Sequence, residues 1–227
     1  MYFDYTYLLI LPALLISMWA SFNVNSTFKK YSKVRSENGM TGYDAARKIL
    51  DMNGLSHIDV IRTPGNLTDH YDPQANVIRL SDSVFGERTA AAVGVAAHEA
   101  GHAVQHATGY APIKLRMAIV NVTNIGSNLS MPLFLIGLLL ASTALCYAGI
   151  ALFSAVVFFQ LVTLPVEFNA SHRALDTLRA SKMQSETGLK AAKKVLSAAA
   201  LTYVAALMVS LSNLLRLIVI ANGRRRD

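Results

Sequence analysis

Apolar residues in this chain gather into long runs around one polar segment, and those runs predict most of its elements. The first run, about Tyr5 to Ala20, reaches across a bilayer core of roughly 30 Å at 1.5 Å per residue once its flanks are counted. Met1, Tyr2, Phe3 and Asp4 before it include no basic side chain, so it is expected to be a retained span and not a cleaved signal peptide. From Ser36 to about Thr108 charges mix and turn pairs recur, at Asn53-Gly54, Pro64-Gly65 and Asp72-Pro73. Within this segment Thr41, followed by YDAARKIL and closed by Gly54, predicts a capped helix. DVIR and NVIRLS predict short strands, with DHYD as a turn between them. Past Ser83, ERTAAAVGVAAHEAGHAVQHA has no proline and many good helix formers, so it predicts one helix running to about Ala107.

From Met117 to Val166 there is no Asp, Glu, Lys or Arg. As one helix that stretch would measure roughly 75 Å, more than twice a bilayer core, so it must fold back. Asn121 to Ser130 is polar enough to lie at an interface, which leaves about Met131 to Leu145 and Ile150 to Pro165 as two short spans joined near Cys146 to Gly149. The last apolar run, about Val195 to Ala221, is also long enough to cross.

Composition agrees with lipid as part of the solvent: 53% of the 227 residues are hydrophobic and 15% charged, with a mean hydropathy of +0.36. The net charge of +7 sits in clusters beside apolar runs, which suits anionic headgroups and not nucleic acid. Lys29, Lys30, Lys33 and Arg35 follow the first span, and Arg173, Arg179 and Lys182 follow the hairpin. By the positive-inside rule both regions face the cytoplasm. The last span has Lys190, Lys193 and Lys194 before it and Arg216, Arg224, Arg225 and Arg226 after it, so its orientation stays open. The single cysteine, Cys146, excludes a disulfide framework or a thiolate cage within one chain, so a metal site must use histidine and carboxylate.

His98-Glu99-Ala100-Gly101-His102 supplies such a site. On a helix the two histidines lie on one face about 5 to 6 Å apart at Cβ, and both imidazoles can reach one ion. Glu99, rotated by about 100°, is poorly placed to bind that ion but well placed to take a proton from a water beside it. Imidazole with carboxylate and an open position favours Zn2+ over harder ions. For the third ligand, His106 is one turn too far along, since three successive turns span about 12 Å while zinc bonds are about 2.0 Å long. A metzincin arrangement also fails, because Gln105 and Thr108 stand where its glycine and later histidine belong. Downstream carboxylates are few: Glu167, Asp176, Glu186 and Asp227. Glu167 is the first charge after the hairpin and is the leading candidate, with His172 as its rival, Asp176 a weaker alternative and Ser171 a hydrogen-bonding partner one turn on.

GNLTDHYDPQANVIRLSDSVF leading into AVGVAAHEAGHAVQHATGYAP, then an apolar hairpin and LPVEFNASHRAL, resembles the bacterial membrane-bound neutral zinc metallopeptidases often labelled YugP-like. The resemblance covers nearly the whole chain. It implies a gluzincin-type site in which His98, His102 and Glu167 match the metal ligands and Glu99 the general base. One departure is His172, where an arginine is expected, and it keeps a second candidate ligand beside Glu167.

The expected fold is therefore mainly α and integral to a membrane, with about four transmembrane helices and a small α+β zincin-like metalloprotease domain. Residues 1–28 form the N-terminal anchor, 29–128 the catalytic domain, 129–166 the hairpin, 167–194 a cytoplasmic segment carrying the third ligand, and 195–227 the last span and basic tail. The expected function is zinc-dependent endopeptidase activity at the plasma membrane, with the catalytic domain facing the cytoplasm and a polypeptide substrate that is membrane-associated or unfolded. The strand from Asn76 to Ser81 can accept an extended substrate by strand addition, and His70, Tyr71 and Tyr110 are candidate donors to the developing oxyanion. Two rivals differ in kind. A site-2-type intramembrane protease needs an Asp-Gly pair that this chain lacks, and Glu87 and Arg88 sit poorly in lipid beside the motif. A noncatalytic membrane scaffold retaining zinc has no use for Glu99.

Overall fold

The computed structural model describes residues 5–223, so the basic tail at Arg224 to Arg226 and the flank before Tyr5 lie outside the described residues. A 3-10 turn, Tyr5–Leu9, leads into helix α1, Leu11–Tyr31, followed by α2, Gly42–Met52. Three strands come next, β1 (Asp59–Thr63), β2 (His70–Asp72) and β3 (Val77–Ser81). The chain then runs through α3 (Ala90–Ala107), α4 (Ala111–Leu139), α5 (Thr143–Ala180) and α6 (Glu186–Gly223). The fold is thus mostly helical with one small sheet, and α4, α5 and α6 are long and apolar enough to cross a membrane. Two compact units divide the described residues, one of residues 5–21, 114–164 and 201–223, the other of residues 22–113 and 165–200.

In the second unit the helices begin where local chemistry tells them to. Thr41 caps α2 through a reciprocal pair, its hydroxyl accepting from the Asp44 amide at 3.1 Å while its own amide donates to the Asp44 carboxylate at 2.9 Å. Arg47, one turn on, donates to the Ile58 and Leu55 carbonyls at 2.6 and 3.1 Å and so holds the chain where it leaves α2 for β1. Thr89 caps α3 by accepting from the Ala92 amide at 3.2 Å. The core collects Ile49 and Leu50 of α2, Ile78 and Leu80 of β3, the alanines of α3, Ala174 and Leu178 of α5, and Leu189 and Val195 of α6. Small residues on α3 let its neighbours come close: a β-carbon at Gly94 would meet Ala192 Cβ at 2.9 Å.

The sheet order is β1-β3-β2, with β1 parallel and β2 antiparallel to β3. This corrects two expectations. DHYD is not simply a turn, because His70–Asp72 pairs with Val77, Ile78 and Arg79 as a third strand. And β3, expected to accept substrate, is the central strand, paired with β1 along its whole length and with β2 over Val77 to Arg79, so it is not the free edge that strand addition needs.

In the first unit α4 and α5 form the hairpin, but the reversal falls at Leu140 to Ser142 instead of Cys146 to Gly149. The small residues there serve packing. A β-carbon at Gly149 would stand 2.7 Å from the Ser130 carbonyl, and one at Gly137 2.6 Å from the Cys146 amide. Phe134, Cys146, Ile150, Leu217 and Ala221 fill the space between α4, α5 and α6. Asn121 to Ser130 belongs to the uninterrupted α4, and α5 continues past Glu167 to Ala180.

Candidate metal centre

Helix α3 places His98 and His102 one turn apart, with their Nε2 atoms 3.2 Å from one another. Helix α5 crosses them because α3 carries glycine at position 101, where a β-carbon would meet the Ala170 carbonyl oxygen at 2.9 Å. Glu167, three residues before that crossing, brings Oε2 to 3.3 Å from His98 Nε2 and 3.5 Å from His102 Nε2. An ion bound tetrahedrally with bonds of about 2.0 to 2.1 Å needs ligand atoms about 3.3 to 3.4 Å apart. The three observed separations bracket that value. Two imidazoles and one carboxylate are also a donor set suited to zinc. Among the described residues these three alone form a group able to hold a metal.

The outward nitrogens of both rings are occupied. His98 Nδ1 lies 3.1 Å from the Ser171 hydroxyl, the partner expected one turn after Glu167. His102 Nδ1 lies 3.0 Å from Gln105 Oε1. Burial disfavours a charged His102, but the carboxylates of Glu167 and Glu99, with the Gln105 amide oxygen, outweigh it and hold its pKa above the usual histidine value.

The chain matches the family described as "Putative neutral zinc metallopeptidase" over residues 6–222. The chain belongs to this family. It is also 51% identical over 217 residues to "Putative membrane protease YugP" of Bacillus subtilis (strain 168), a match covering 95% of this chain and 96% of that one. No solved structure matches it. The cofactor of the family is zinc, and the His98, His102 and Glu167 cluster is a place in this chain that could bind it.

The rival residues lie elsewhere. His172, 78% exposed, pairs with Asp176 at 3.3 Å and is not part of the cluster. His106 turns Nδ1 toward the Tyr71 hydroxyl at 3.3 Å. That contact joins α3 to β2, and burial raises the Tyr71 pKa. Of the other oxyanion candidates, His70 is exposed with Nδ1 2.9 Å from the Thr68 carbonyl, and Tyr110 sits under the Arg173 guanidinium at 6.0 Å. Glu99 is buried beside the two histidines on α3. Asp69, just before β2, accepts from the Ser81 amide and hydroxyl at 2.7 and 2.9 Å. Its pKa is raised, chiefly by burial and further by the field of Glu99, which puts that carboxylate within electrostatic reach of the base candidate.

Two polar residues at this centre escaped the sequence reading. Gln105 was weighed only as a departure from the metzincin pattern, yet it is fully buried. Asn169 had no signal of its own, although it stands one helical turn before Arg173, a spacing at which an amide and a guanidinium can meet.

Proposed function

We propose that this chain is a membrane-embedded zinc-dependent endopeptidase in which His98, His102 and Glu167 hold the metal and Glu99 is the general base. The observation that carries the proposal is the convergence of three ligand atoms at separations of 3.2, 3.3 and 3.5 Å, next to an intact Glu99 on the same helix. Zinc at this site supplies Lewis acidity, polarising a scissile carbonyl and lowering the pKa of a water toward about 7. Glu99 takes the proton of the attacking water on its carboxylate and passes it to the leaving amine, while its buried position keeps bulk water from competing for that proton. Strand addition of an extended substrate then falls to β2, the sheet edge that Tyr71 ties to α3. Only an unfolded or flexible segment can present its backbone that way, so the expected substrates are disordered or membrane-associated polypeptides.

The test is metal removal. Chelation of the purified full chain is expected to abolish cleavage of an unfolded reporter polypeptide, and added zinc to restore it. Cleavage that persists once bound zinc has been shown to be gone would overturn the reading.

Four helices are proposed to lie in the plasma membrane, with α1 joining α4, α5 and α6. Leu11, Leu14, Leu15, Met18, Trp19 and Phe22 of α1 are exposed, as lipid-facing side chains would be. The basic clusters after α1 and within residues 173–182 support a cytoplasmic position for the catalytic unit. Single cysteines at Ser83 and Ser185, in a Cys146→Ala background, are expected to resist an impermeant thiol reagent in intact cells and to react after lysis. Labelling of either from outside would reverse the topology.

A further inference from the structure

Resting on the metal-site reading above, we infer that Gln105 is a positioning residue that fixes the proton on His102 Nδ1, and that Asn169 and Arg173 of α5 fix Gln105 in turn. The order of the bonds follows from which groups can only donate. The Arg173 guanidinium has no acceptor, so at 2.8 Å from its Nε the Asn169 side-chain atom must be the carbonyl oxygen. That oxygen also lies 3.0 Å from Gln105 Nε2, which makes the nitrogen of the Gln105 amide the end facing α5. The Val166 carbonyl, 2.8 Å from the same nitrogen, can only accept and demands the same orientation. The other end of the amide, Gln105 Oε1, is left facing His102 Nδ1 at 3.0 Å and can only accept there. His102 therefore carries a proton on Nδ1, which leaves Nε2, the atom facing Glu167 across the site, as the one that would bind the metal.

The serine at the other histidine imposes no such order. Ser171 can donate to or accept from His98 Nδ1, so it tolerates either tautomer. The two histidines are thus held differently: His98 by a hydroxyl that follows the ring, His102 by an amide that dictates to it. The arrangement of α5 explains how one helix does both. At about 100° per residue, Glu167 and Ser171 fall on one side of the Ala170 contact with Gly101 and Asn169 and Arg173 on the other, so ligand and positioning stripes straddle α3. Arg173 is itself held over the Tyr110 ring, and the Tyr110 amide donates to the Gln105 carbonyl at 3.0 Å. A residue that orients a ligating histidine commonly contributes 10- to 100-fold in metal affinity, and an effect of about that size is expected here.

The experiment measures zinc affinity of the full chain by chelator competition, together with 15N spectra of the histidine rings in the zinc form. Gln105→Leu is expected to weaken zinc about 10- to 100-fold. Asn169→Leu is expected to weaken it less, because the Val166 carbonyl still orients Gln105. Asn169→Asp keeps the accepting oxygen and is expected to stay within about threefold of wild type. A purely structural role would not predict that rescue. In wild type, the His102 ring is expected to be protonated at Nδ1 and metal-bound at Nε2. Zinc affinity within threefold of wild type in Gln105→Leu, or a bare Nδ1 on His102, overturns the inference while leaving the metal site standing. Absence of zinc binding in wild type sinks the metal site instead. If Gln105→Leu does not fold, the ring spectra of wild type and the Asn169 pair still decide.

Discussion

Glu99→Gln is expected to keep its zinc and to lose about 10²- to 10⁴-fold in the rate of peptide-bond cleavage, the usual contribution of a positioned general base. The change preserves shape and leaves His98, His102 and Glu167 untouched, so the metal has no reason to leave. What disappears is a carboxylate able to accept a proton. The position of Glu99 on α3, one residue and therefore about 100° around from His98, keeps it off the line of the two histidine ligands yet beside the ion they would hold. Its side chain is buried, with the Asp69 carboxylate within electrostatic reach. Zinc content and cleavage of an unfolded reporter should be measured on the same purified sample. Cleavage at the wild-type rate would remove Glu99 from the mechanism, and loss of zinc along with activity would place it among the ligands.

What was legible in the sequence was what depends on residues near one another in the chain. The starts of α2 and α3 are set by Thr41 with Asp44 and by Thr89, and a two-histidine face needs only helical spacing. The strands at DVIR and NVIRLS declared themselves by β-branched residues between turn pairs. By contrast β2 has three residues and exists because β3 pairs with it, a tertiary event that no local pattern encodes. The reversal between α4 and α5 was misplaced for a related reason. Gly149 looks like a loop signal, but its missing side chain is what lets α5 reach the Ser130 carbonyl. Gln105 shows the same limit at the metal centre. Read along α3 alone it is a polar residue on a buried face, and only the Val166 carbonyl and Asn169, supplied by α5, give its amide a direction. The choice between Glu167 and His172 was open to a rotational argument. Five residues on a helix amount to about 140° net, so both cannot point at one ion. Ser171, one turn from Glu167, marks which face meets α3.

Glu167→Ala is expected to lower zinc affinity by more than about 100-fold, as much as His102→Ala, because removing a ligand exceeds the 10- to 100-fold typical of its outer partners. His172→Ala and His106→Ala are expected to leave most of the zinc in place. The contrast rests on where each side chain lies. Glu167 is buried and its Oε2 stands within 3.5 Å of both histidine nitrogens, so its loss opens the coordination shell where no other described carboxylate or histidine completes a metal-binding group. His172 sits in solvent beside Asp176, an exposed pair of the kind that contributes little. His106 is engaged with Tyr71, so removing it should disturb the β2 edge and affect peptide cleavage before it affects metal. Zinc occupancy and affinity for the four variants, measured on the full chain, separate these outcomes. Full occupancy in Glu167→Ala, together with its loss in His172→Ala, would mean that α5 turns a different face to the metal and that the site is built from three histidines.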